Sequence, residues 1–110
     1  MTDDRTYLGH IIDCIQRIED YTRDGEAAFM ASPIIQDAVV RNFEIIGEAT
    51  KRLSSKLTRS RPDIQWRRIA GFRDVLIHRY ASIDLTAVWN VIEHDLTNLK
   101  SVITDLLETL

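Results

Sequence analysis

Apolar residues recur along this chain at helical spacing, and no stretch sustains the period-2 alternation of a half-buried strand. Leu8, Ile11, Ile12, Ile15 and Ile18 form one stripe on a segment from about Asp4 to Thr22. Gly25 breaks that segment. Ser32 before Pro33 reads as an N-cap followed by proline at the first helical position, where a missing N–H costs nothing. The second segment is expected to run to about Leu57, with Ile34, Ile35, Ala38, Val39, Ile45, Ile46, Ala49 and Leu53 inward. Gly47 inside it is weaker than alanine by about 1 kcal/mol, which a close approach of another helix would explain. Ser54 to Pro62 is polar and basic, hence a loop, and Pro62 is expected to open a third segment. Trp66, Ile69, Phe72 and Leu76 form its buried face, with Val75 at the edge. Asp84 caps a fourth segment with Leu85, Val88, Trp89 and Ile92 inward. Leu96, Leu99, Ile103, Leu106 and Leu107 carry the period onward after a kink near His94. The pattern predicts an all-α antiparallel bundle of four to five helices, one domain over residues 1–110.

Cys14 is the only cysteine, so there is no disulfide framework, and a small hydrophobe within a helix is its expected role. Asp3 and Asp4 stand where a signal peptide would carry basic residues. No apolar run approaches the roughly 20 residues that cross a bilayer. A cytoplasmic location without a membrane is the expectation. The net charge of −3 argues against nucleic acid until its distribution is read. Residues 1–50 carry four basic and ten acidic side chains, and residues 80–110 one and five. Between them, residues 51–79 hold nine basic side chains against Asp63 and Asp74. A basic block in an acidic chain suggests a local anion-binding surface.

Most site signatures are absent. Gly47 to Lys51 lacks the spacing of a phosphate-binding loop, and Cys14 has no histidine beside it. His10, His78 and His94 form no i,i+4 metal pair, so neither a metal nor another cofactor is expected. Glu44 and Glu48 lie one turn apart, and Glu48 with Arg52 fits a favourable i,i+4 surface pair. What remains is the run from Gly71 to Tyr80, where Arg73, His78 and Tyr80 stand among apolar neighbours near a helix end. Arg73 and Tyr80 share a face, as do Asp74 and His78. Arg73 and His78 point about 140° apart and differ by about 7.5 Å in rise, so they act on one phosphate only through the reach of a long arginine side chain or across a cleft both border. An Asp74–His78 pair capping the helix, beside a merely solvating arginine, is the competing reading.

Arg73-x4-His78-x-Tyr80 resembles the R-x4-6-H motif of HEPN-domain ribonucleases, in the x-Tyr form of the HepT toxin family. The segments Arg41 to Ala49 with Arg52-Leu53-Ser54, Pro62-Asp63-Ile64 with Trp66, and Asp84-Leu85 with Val88-Trp89 are similar to that family too. Asp74 stands where such motifs often have asparagine, and could raise the basicity of His78. The resemblance implies a HEPN-like bundle and a metal-independent endoribonuclease with Arg73 and His78 catalytic. Its substrate would be mRNA or tRNA, attacked by the ribose 2′-hydroxyl. It implies a homodimer whose shared cleft joins two Arg–His sets, with Gly47 marking a close helix contact there. It further implies the toxin of a type VII toxin–antitoxin system, silenced when a nucleotidyltransferase antitoxin adenylylates Tyr80. A non-catalytic helical subunit that only docks the nucleotidyltransferase is the alternative.

Overall fold

A computed structural model describes residues 3–78 and 83–110, and of Ile77 and His78 the backbone alone. Among the described residues the chain is all α-helical, with no strand. The helices are α1 (Asp4–Tyr21), α2 (Glu26–Ala31), α3 (Pro33–Lys51), α4 (Ser55–Ser60), α5 (Trp66–His78), α6 (Leu85–His94) and α7 (Leu96–Thr109).

Leu8, Ile11, Ile15 and Ile18 of α1 are fully buried, as the apolar stripe requires. The Asp3 carboxylate accepts from the Thr6 N–H and caps that helix. The Asp4 carboxylate reaches Ser54, and α1 therefore runs antiparallel to α3. Arg5 donates to the Leu107 and Leu110 carbonyls while Lys100 pairs with Glu19 at 2.7 Å, so α7 is antiparallel to α1 as well. Val39, Phe43, Ile46 and Ala49 of α3 and Val102, Ile103 and Leu106 of α7 complete the central core. Cys14 is buried within it, and burial pushes its thiol pKa up.

The expected all-α bundle is present, and among the described residues it is divided into seven helices because short elements interrupt the long segments. Helix α2 fills the gap between Gly25, whose φ of 94° only glycine adopts readily, and the Ser32 cap. It is anchored by Phe29, which is fully buried with its ring 5.5 Å from that of Trp89. The second segment stops at Lys51 instead of Leu57. Asp4 takes the Ser54 N–H at 2.8 Å and the Ser54 hydroxyl at 2.6 Å, and Ser54 in turn caps α4. The stretch expected as loop therefore contains a helix.

Pro62 does not open the third segment. Arg61 grips Asp63 through two hydrogen bonds, the Trp66 indole donates to the Arg61 carbonyl, and α5 starts only from the Gln65 carbonyl. Ile34 is another correction. It is 82% exposed, because only Ile35 and later residues of α3 face the bundle. Val75 is exposed, and the kink expected near His94 is a break at Asp95 between α6 and α7.

Candidate functional site

Gly47 positions the site. A Cβ built there would overlap the Cβ of Arg73 and stand 3.2 Å from its Cγ and 3.4 Å from its Cα. Helices α3 and α5 thus touch backbone to side-chain root at Gly47, and Arg73 lies at that contact. The close approach expected of Gly47 is therefore made within the chain.

Because α5 lies so close, the residues flanking Gly47 on α3 reach the motif. The Arg73 side chain is 28% exposed; its Nε lies 3.1 Å from Glu48 Oε2, and its Nη1 donates to Asp74 Oδ1 at 3.1 Å. Lys51 Nζ donates to the same Asp74 oxygen at 2.9 Å. The Lys51 ammonium, and after it Arg73, hold the Asp74 carboxyl below the usual carboxylate range. Glu48 Oε1 meanwhile takes Arg52, 3.1 Å from Nη2, so the expected Glu48–Arg52 pair is present and extends to Arg73. The result is an alternating ladder: Arg52, Glu48, Arg73, Asp74, Lys51.

The structure brings Arg73 and Asp74 together. His78 lies at the end of α5, with its side chain outside the described residues, and Tyr80 lies outside them altogether. The Asp74–His78 contact falls outside them too. Glu48 and Lys51 escaped sequence reasoning as neighbours of the motif. The signal was Gly47: if another helix crosses there, side chains one residue and one turn beyond it must border that helix.

A cleft of about 330 Å³ opens beside the ladder, between α1, α3 and α5, and Arg73 forms part of its wall. Tyr7 and His10 line it from α1, their rings edge to face with centroids 6.0 Å apart. A larger, mostly apolar cavity of about 950 Å³ lies between α5 and the α6–α7 pair, and Arg73 is not part of its lining. Among the described residues no group of three or more His, Cys, Asp or Glu could hold a metal ion. Among them, too, no helix is long and apolar enough to cross a membrane.

An all-α chain with an arginine held between carboxylates at a helix–helix contact is the class that fold and site define. The family profile described as ribonuclease HepT-like matches residues 11–106, and the chain belongs to that family. It is similar to the "Gamma-glutamylcyclotransferase and putative RNase" of Methanocaldococcus jannaschii, 41% identical over 98% of this chain and 49% of that protein. The chain thus spans about half the length of that relative. It is also similar to the "Probable ribonuclease HepT" of Thermococcus cleftensis, 38% identical over 87% of this chain and 88% of the relative. A "Putative RNase" of Caldanaerobacter subterraneus is 33% identical over 98% and 97%. No solved structure matches the chain.

Proposed function

We propose that this chain is a metal-independent endoribonuclease toxin, with Arg73 and His78 as its catalytic groups. The observation that carries the reading is the setting of Arg73. Its guanidinium is oriented by Glu48 and Asp74 at the wall of a cleft, on the helix that also bears His78. Family membership and the relatives' names support RNA as the substrate. Within that class, mRNA or tRNA is the form proposed.

In the proposed reaction the ribose 2′-hydroxyl attacks the adjacent phosphorus and the bond to the 5′-oxygen breaks. The attack needs a base, the developing phosphorane charge needs a cation, and the departing oxygen needs an acid. Histidine titrates near neutrality, and arginine offers a fixed charge with a planar fork. One chain holds one such pair, so a two-fold homodimer with a shared cleft would provide both a base and an acid. We expect cleavage to continue in EDTA and to leave 2′,3′-cyclic phosphate and 5′-hydroxyl ends, from a particle of dimeric mass by light scattering. Activity lost in EDTA and restored by a divalent ion would refute the metal-free route. A monomeric mass in an active preparation would refute the shared cleft.

Regulation falls to Tyr80. A nucleotidyltransferase antitoxin would direct the Tyr80 hydroxyl oxygen onto the α-phosphorus of ATP, releasing pyrophosphate and leaving AMP on the phenol. A phenol with a pKa of about 10 is a poor base for the cleavage step itself. The added phosphodiester would engage nearby arginines through charge-assisted hydrogen bonds and repel RNA. Coexpression with the nucleotidyltransferase should add one or more AMP units to Tyr80 by peptide mass mapping and abolish cleavage. If Tyr80→Phe is silenced as fully as wild type, the assignment fails.

A further inference from the structure

Residues 41, 45, 48 and 52 fall four, three and four apart and form one stripe along α3 and its C-cap, with Glu44 beside it. Together with Tyr7 and His10 on α1 and Arg73 on α5, they make the wall of the 330 Å³ cleft. That volume lies near the lower end of the roughly 300–1,000 Å³ range of ligand pockets and suits a single nucleotide, not a helix of RNA. Arg52 and Arg73 share the Glu48 carboxylate. Exposed Arg41 takes part in no ion pair among the described residues, so its planar fork is available to an anion. Glu44 can accept from a base amino group or a ribose hydroxyl. A cationic wall joined to aromatic edges is the combination that single-stranded nucleic acid requires.

We propose that this cleft is a subsite for the nucleotide next to the scissile phosphate of a single RNA strand, with Arg41 on its phosphate and the Tyr7–His10 pair against its base. The inference rests on the ribonuclease reading above, because Arg73 joins the cleft to the proposed cleavage centre. Arg41 and His10 bind substrate here and take no part in proton transfer.

The test uses the full chain and a fluorescein-labelled, mixed-sequence oligoribonucleotide with 2′-O-methyl groups, which cannot be cleaved. Arg41→Gln should raise its Kd about tenfold and lower the slope of log affinity on log salt by about 0.7, the share of one phosphate on a single strand. Arg41→Lys should restore most of that slope. His10→Ala should weaken binding about fivefold or more through lost stacking. Both residues are exposed, so thermal midpoints should match wild type. On cleavable RNA the two variants should raise KM and leave kcat in place. Affinities and KM values within about twofold of wild type would overturn the subsite while leaving the ribonuclease reading standing. Binding that depends on Arg41 in a wild-type protein that cuts no RNA would keep the cleft as a strand-binding site but overturn its place beside a scissile phosphate, together with the ribonuclease reading. Free AMP binding as tightly as the oligonucleotide would overturn the strand assignment.

Discussion

Arg73→Ala should lower kcat for RNA cleavage by about 10²–10³, the usual loss when one preorganised donor to a developing anion is removed. His78→Ala should lower it by about 10²–10⁴, the range for a positioned proton-transfer group. The fold should tolerate the Arg73 change. Alanine keeps the Cβ that packs on Gly47, and the lost ion pairs are partly exposed, so solvent screening leaves each of them little weight in stability. Arg73→Lys should recover only part of the rate, because an ammonium keeps the charge without the fork that Glu48 and Asp74 orient. Rates would be read on cleavable RNA, with circular dichroism to check the fold. Cleavage by both alanine variants at the wild-type rate would sink the catalytic assignment. Cooperative unfolding lost in His78→Ala would favour a capping role for that histidine.

Gly47→Ala should destabilise the protein even though alanine is the better helix former by about 1 kcal/mol. The added methyl meets the Cβ and Cα of Arg73, which move only with the backbone of α5. Overpacking of this kind costs about 1–3 kcal/mol. For a chain of this size each kcal/mol lost lowers Tm by roughly 4–8 °C. Activity should fall further than stability, since α5 would shift relative to Glu48 and Lys51. A double-mutant cycle isolates the cause. In an Arg73→Gly background the obstructing Cβ is gone, and Gly47→Ala should become neutral or stabilising. An equal penalty in both backgrounds would place the cost elsewhere than at this contact.

Helix α1 was legible because its stripe repeats over 18 residues and a carboxylate stands at its cap. Helix α2 was not, because six residues hold one buried anchor, Phe29, and no period can be read from one point. The break after Lys51 was hidden for another reason. Its cause is Asp4, fifty positions away, whose carboxylate satisfies Ser54 only once α1 and α3 are antiparallel. Pro62 misled because Arg61 and Asp63 close a turn around it before any helix begins. At the site, Arg73 and Asp74 were visible as part of a local motif. Glu48 and Lys51 were signalled only by Gly47, since which residues of α5 they meet depends on the register of α3 against α5, which spacing along either helix alone does not contain.

The ladder of Arg52, Glu48, Arg73, Asp74 and Lys51 bears on how an anion would enter. Three bare cations at such separations would drive one another apart. Here two carboxylates act as resident counter-ions, so the guanidinium of Arg73 is held in place at little electrostatic cost. A phosphate arriving at Arg73 would then replace a carboxylate oxygen instead of stripping water from a bare cation. The exchange trades one oxyanion for another across a fork that is already oriented, and the displaced carboxylate must turn out into water to make room for the phosphate.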